Sequence, residues 1–302
     1  MTPLQETQSV CLRCAEGCGF HTLLEQGRAT GIEYMTNHPV NAGALCLKGN
    51  RVLETVYHPE RIYSPLAKKE DGTFHAITWD EAITIISSRL KSAAAKHGAN
   101  ALAFMGSPRC TNEEQYLLQK FARVLGTNNI TALTLEEGAG FAPAALAPLL
   151  GYAGMTNPLS DLAHSRCIII TGPHFLENHP VAARFIFEAR AKGAAVICAD
   201  HRVPPAPRFC DPFLHIRPGA QAALLEGMIL HLLENRRYNE RFIEERTSGF
   251  EPFSKAMQKQ SLKGCEGISG IPAPAIRDIA ERYASAPAAA IVQTADYNAL
   301  PA

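Results

Sequence analysis

Cys167-Ile168-Ile169-Ile170-Thr171-Gly172 is an apolar, β-branched run closed by a glycine, and it reads as a buried strand. The segment after Pro180 carries Val181, Phe185 and Ile186 at helical spacing and stops at Lys192-Gly193. Ala195–Ala199 then repeats the strand pattern and ends in Asp200. Phe213–Ile216 leads through Arg217-Pro218-Gly219 to a helix over Gln221–Asn235, three further helical patterns and a last strand at Ala289–Gln293. Strand–helix units of this length, repeated, predict an α/β fold with a doubly wound, Rossmann-like parallel sheet.

Towards the N-terminus the same alternation continues in weaker form. Thr111-Asn112-Glu113-Glu114 reads as a capping box whose helix runs to Gly126, and Ala101–Met105 is a short strand ending at Gly106. Thr78-Trp79-Asp80-Glu81 is a second capping box, opening a helix with Ile83, Ile86 and Leu90 on one face. Before Pro65 the text changes. Residues 1 to about 60 are rich in Gly, Cys and polar turns, with short strands expected at Phe20–Leu24 and Thr30–Tyr34. Such a segment has too few apolar residues for a core of its own, and a metal centre would supply part of its folding energy.

The totals bound the partners. Among 302 residues, 29 basic side chains balance 29 acidic ones, which removes any general argument for nucleic acid or an anionic membrane surface. No apolar run approaches a bilayer span, and Met1 to Val10 shows neither a basic n-region nor an apolar h-region, so no membrane insertion and a cytoplasmic location are expected. Nine cysteines, an odd count in a long chain, fit reduced thiols and a metal site better than a disulfide framework. Cys110, Cys167, Cys198, Cys210 and Cys265 are scattered singly and read as unpaired, inert thiols.

The other four cysteines fall at Cys11-x2-Cys14-x3-Cys18-x27-Cys46. Three closely spaced thiolates can wrap a 4Fe-4S cluster while a distant fourth closes the cage. Gly17 and Gly19 flank Cys18 and permit a tight turn with amides directed at the sulfurs. A structural zinc site is the alternative, although zinc sites usually come as two short-spaced pairs rather than a triplet and a single.

This spacing, closed by Cys46-Leu47-Lys48-Gly49, resembles the N-terminal cluster domain of the molybdenum/tungsten bis-pterin oxidoreductases, the family of formate dehydrogenases and assimilatory nitrate reductases. The resemblance continues through His58-Pro59-Glu60-Arg61, Trp79-Asp80-Glu81-Ala82, Thr111-Asn112-Glu113-Glu114, Gly126-Thr127-Asn128-Asn129, Met155-Thr156-Asn157, His179-Pro180, Asp200 with Arg202, and Arg217-Pro218-Gly219, in the family's order. The Thr111 to Asn129 block looks most like the formate dehydrogenase branch. The resemblance implies a cluster domain over 1–60, a partial pterin-binding α/β domain over 61–130 and a Rossmann-like domain over 131–302. It also implies that Cys11, Cys14, Cys18 and Cys46 hold the cluster, that Lys48 relays electrons beside it, and that Asp200 and Arg202 retain part of a pterin-nucleotide pocket at a strand end.

The pattern breaks in three places. The family's metal-ligating Cys, selenocysteine, Ser or Asp falls at Glu136 or Glu137 here, with Gly138 near a conventional His. A carboxylate is a hard donor able to hold molybdenum, but the plainer reading is a surface acidic pair. His174 stands where the family has a nucleotide-binding Asn, and Ala220-Gln221 where it has Thr-Asp. Family enzymes also continue well past the position of Ala302. Mo/W-bis-pterin guanine dinucleotide is therefore doubtful as this chain's own cofactor. The expected function is an iron–sulfur electron-transfer subunit docked on other redox subunits. The alternative is a formate dehydrogenase-like Mo/W enzyme completed by partner subunits.

Overall fold

In a computed structural model the described residues are 5–14, 16–107, 109–132, 147–152, 155–172, 175–203 and 209–293. They divide into two units, Met1–Glu136 and Glu137–Ala302. Glu136, Glu137, Gly138 and His174 lie outside the described residues.

The first unit opens on an antiparallel meander of β1 (Gln5–Val10), β2 (Gly19–Glu25) and β3 (Arg28–Tyr34). Gln26 and Gly27, both at positive φ, make the two-residue turn that suits the twist of the β2–β3 hairpin. β1 was not expected. Its Gln-Glu-Thr-Gln-Ser-Val text is polar and carries no strand periodicity, and only the ladder from Gln5↔Leu24 to Val10↔Gly19 makes it a strand. Two short helices, Leu47–Asn50 and Val52–Val56, follow Cys46. A small hairpin, β4 (Leu66–Lys68) with β5 (Phe74–Ala76), precedes the helix Trp79–His97.

Both expected capping boxes form. Glu81 N donates to Thr78 Oγ1 at 3.2 Å while Thr78 N donates to Glu81 Oε2 at 2.8 Å, and Thr111 and Glu114 repeat the exchange ahead of the helix Asn112–Val124. β6 (Phe104–Gly106) pairs in parallel with β7 (Ile130–Ala132). The expected strand start at Ala101 is instead the end of a 3-10 turn, Ala99–Ala101. The apolar face of the helix Trp79–His97 is not a core face. Ala82 is its one buried residue, while Trp79, Ile83 and Ile86 are exposed.

The second unit is built on β8 (Cys167–Thr171), β9 (Ala195–Asp200), β10 (Phe213–His215) and β11 (Ala289–Gln293), all parallel in the order β10-β9-β8-β11. Successive side chains of β8 and β9 point to opposite faces. Ile168, Ile170, Val196 and Cys198 pack against the helix Pro180–Ala191 and the 3-10 segment Leu159–His164. Cys167, Ile169, Ile197 and Ala199 pack against the helices Gln221–Glu234, Leu262–Ser269 and Ala273–Ser285. Helices on both faces of a parallel sheet make the doubly wound architecture that the strand–helix repeats predicted.

One cysteine expectation is corrected here. Cys198 and Cys210 are joined in a disulfide, whereas Cys167 and Cys265 are free and buried and Cys110 is free and exposed. Sequence spacing concealed the pair because the fold, not the chain order, lays Cys210 beside β9.

Ile197 is fully buried at the centre of β9. Ile197→Ala should lower the unfolding free energy by about 2–5 kcal/mol, read from denaturant titration, because the sheet cannot collapse into the void. Glu281 ties the helix Ala273–Ser285 to the end of Gln221–Glu234, accepting from His231 Nε2 at 2.8 Å and from Arg237 Nε at 3.1 Å. These contacts, the His231 hydrogen bond foremost, hold its carboxyl below the usual value of 4.5. The stabilisation is complete above that unfolded value and is lost as pH falls through the lower native one. The melting-temperature gap between wild type and Glu281→Gln should therefore be open at neutral pH and close in acid.

Candidate metal centre

The β1–β2 ladder does not stop at its last strand pair. Beyond Val10↔Gly19, Cys11 N donates to Cys18 O at 2.9 Å, so the two cysteines close the neck of the loop between the strands. Gly17, at φ 65°, supplies the left-handed turn just before Cys18. A Cβ on Gly19 would run into the His38 ring, so that position requires glycine for close approach. Cys11 and Cys18 are 6% and 5% exposed; Cys14 and Cys46 are partly exposed.

Asn41 holds this neck to the next segment. Fully buried, it accepts from Gly19 N at 2.9 Å and donates to Gly19 O at 3.0 Å and Ala44 O at 2.8 Å. One side chain thereby fastens the Cys18 turn to the turn that leads into Cys46. Cys46 is the N-cap of the helix Leu47–Asn50, and its carbonyl accepts from both Asn50 N and Asn50 Nδ2. Tyr34, at the end of β3, donates to Asn50 Oδ1 at 2.9 Å and ties that helix to the meander. Sequence reasoning missed Asn41. A lone Asn between a Pro-Val and an Ala-Gly carries no motif, and its role exists only once the two turns meet.

The electrostatics mark where charge is wanted. Burial pushes the Cys18 thiol up to about 12, and the neighbouring Glu16 carboxylate pushes the same way. Cys18 Sγ lies 3.6 Å from Glu16 Oε2, and Glu16 is itself 7% exposed. Burial also raises Cys14, with a backbone hydrogen bond at Glu16 and the charge of Lys48 opposing it and the Glu16 carboxylate and Cys11 adding to it. Cys11, Cys14, Cys18 and Lys48 thus feel one another's charge, and Cys46 stands two residues before Lys48. Thiols out of water with an acid among them disfavour the thiolate unless a cation compensates. Among the described residues, no three of the four thiols lie within 4.8 Å of one another, the closeness a single ion would ask of its donors.

Asp200 and Arg202 sit at the far end of β9 in the second unit. Asp200 is buried, and its Oδ1 accepts from Arg202 N at 2.9 Å. His201 Nδ1 lies 3.4 Å from the same oxygen but out of line for a hydrogen bond, so the ion-pair distance overstates that contact. Ile170, Gly172, Phe175, Leu176, Cys198, Ala199 and Asp200 line a recess here with space for roughly one water molecule. It lies at the carboxyl ends of the strands, where open α/β sheets bind ligands.

Two family models match the chain: "Molybdopterin oxidoreductase Fe4S4 domain" over residues 4–58 and "Molybdopterin oxidoreductase" over residues 61–298. The alpha subunit of an F420-dependent formate dehydrogenase from Methanocaldococcus jannaschii is 36% identical over 286 residues, covering 94% of this chain and 41% of that protein. Formate dehydrogenase H of Escherichia coli is 30% identical over 296 residues, covering 96% and 41%. The acetylene hydratase of Pelobacter acetylenicus superposes with a TM-score of 0.78 at 23% identity, over 96% of this chain and 40% of that one, a likeness of fold. The chain spans about two fifths of the length of these proteins. No helix among the described residues is long and apolar enough to cross a membrane.

Asn41→Ala should leave the Gly19 amide and two carbonyls without their partner and destabilise the first unit by about 1–3 kcal/mol. Iron retained after desalting, compared between wild type and variant, checks the consequence at the thiols, and the variant should retain less.

Proposed function

The chain belongs to the molybdopterin oxidoreductase family, and from that premise we propose that it is the iron–sulfur, electron-transferring part of a formate dehydrogenase-like oxidoreductase complex in the cytoplasm. The observation that carries this reading is the hydrogen-bonded neck of Cys11 and Cys18, with Cys14 in the loop it closes, fastened by Asn41 to the turn before Cys46. A bound 4Fe-4S cluster supplies one-electron uptake and release. The four thiols would be its ligands, and the burial of Cys11 and Cys18 restricts water at two of the sulfurs. Lys48, whose charge reaches Cys14, favours the reduced state of whatever stands beside it. A triplet and a single cysteine, rather than two short-spaced pairs, favour a cluster over zinc.

The partner reading rests on uncovered apolar surface. On the helix Trp79–His97, Trp79 is 69% exposed and shares its face with Ile83 and Ile86. On the helix Asn112–Val124, Tyr116, Leu117, Phe121 and Val124 are all exposed, Val124 at 76%. Helices with one buried alanine each gain little from tertiary packing, so a polypeptide that covers them is a redox subunit's natural seat.

A second reading, a Mo/W-pterin formate dehydrogenase completed by partner subunits, is favoured by the family match over residues 61–298 and by the relatives' names. In it Asp200 and Arg202 hold a nucleoside portion of the pterin cofactor, which requires the strand-end recess to widen.

Anaerobically purified protein should carry about four irons per chain. Cys14→Ser should lose most of that iron and the visible charge-transfer absorbance. Lys48→Gln should keep the iron and lower the midpoint potential by tens of millivolts in a redox titration. Colourless protein, or zinc at one per chain, would overturn the cluster, and molybdenum or tungsten near one per chain would favour the second reading.

A further inference from the structure

Cys198 and Cys210 are the chain's one cross-linked pair among the described residues, and neither belongs to the metal centre. Their Cα atoms are 5.6 Å apart, inside the range a disulfide spans without moving the backbone. That separation is set by hydrogen bonds and not by the sulfurs. Asp211 N donates to Val196 O at 2.7 Å and Cys198 N donates to Pro212 O at 3.2 Å, so the lead-in to β10 lies along β9 whether or not the bond exists. Both side chains enter the same apolar cluster, at 5% and 7% exposure, beside Phe175 and Ile170. Cys198 is also part of the wall of the strand-end recess, two residues before Asp200.

We propose that Cys198 and Cys210 form a reversible, redox-responsive disulfide whose state sets how rigidly the wall of that recess is held. A pair already placed at bonding distance closes without a lasting backbone shift, so at equilibrium its state follows the surrounding thiol–disulfide balance. A permanent disulfide is out of place in this chain, because the same environment must leave Cys11, Cys14, Cys18 and Cys46 reduced for iron; this step rests on the iron–sulfur reading. The chemistry balances with a low-molecular-weight disulfide as oxidant. One protein thiolate attacks the oxidant's sulfur to give a mixed disulfide and release one thiol. The second protein thiolate then displaces the other, so two protein thiols lose two electrons and two protons and two small thiols form. Burial of both sulfurs confines exchange to moments when the β9–β10 junction opens. Once formed, the bond closes the chain between residues 198 and 210 and opposes that opening.

The test uses the full chain with its iron, equilibrated anaerobically in oxidised or reduced glutathione, alkylated and digested with trypsin. In oxidised buffer the peptides 193–202 and 209–236 should run as one linked mass. In reduced buffer they should separate, each carrying one alkyl group, while Cys167 and Cys265 stay unlinked in both. Hydrogen exchange at the amides of Cys198 and Asp211 should be several-fold faster in the reduced protein, and Cys210→Ser should match the reduced protein in either buffer. Peptides unlinked in every buffer, peptides linked even in strong reductant, or equal exchange in the two states would each overturn the proposal. Iron measured on the same samples separates its failure from that of the metal centre.

Discussion

A thiolate taken out of water is costly, and the first unit is arranged around two cysteines that are almost wholly out of water. Cys11 and Cys18 stand among its buried apolar side chains, alongside Phe20, Met35, Leu102 and the two alanines Ala82 and Ala122. That is thin support for more than a hundred residues. Glu16 inside the same loop makes the thiolate state harder still. The arrangement makes sense when positive charge comes to rest against the sulfurs, because bound iron offsets the cost of holding the thiols deprotonated. Asn41, Gly19 and the Cys11–Cys18 hydrogen bond fix the two turns that carry Cys18 and lead into Cys46.

The same scarcity of core runs on through the rest of the first unit. Its two long helices are held by capping boxes and by single buried alanines, and their Trp, Ile, Tyr, Phe and Val side chains meet solvent. Each box satisfies end amides, which fixes where a helix begins but not what it packs against. Among the described residues, the parallel ladder of two three-residue strands pairs with no third strand. Apolar helix faces and a short parallel ladder are the features on which the partner proposal rests.

The second unit is the opposite case. β8 and β9 bury residues on both faces, separate sets of helices cover each face, and the two core layers hold eight fully buried Ile and Leu side chains among the described residues. The strand ends gather Asp200, the recess and the Cys198–Cys210 bond within a few residues. Chemistry collects there for a topological reason: parallel strands all deliver their carboxyl ends, and the loops after them, to one edge of the sheet.

Both capping boxes and the strands at Cys167, Ala195 and Ala289 were legible in the residues themselves. Each depends on neighbours within one turn, one strand or one short loop, where local stereochemistry and periodicity decide. β1 was not legible, because Gln5–Val10 is polar and becomes a strand only by pairing with β2. Nor were the Asn41 fastening, the solvent exposure of Ile83 and Ile86, or the Cys198–Cys210 bond, which join or separate residues according to which segments end up adjacent. Local sequence therefore determined the elements and the donor atoms, while the tertiary structure alone decided which of them meet, because hydrogen bonds, burial and sulfur–sulfur bonding all require proximity that chain order does not encode.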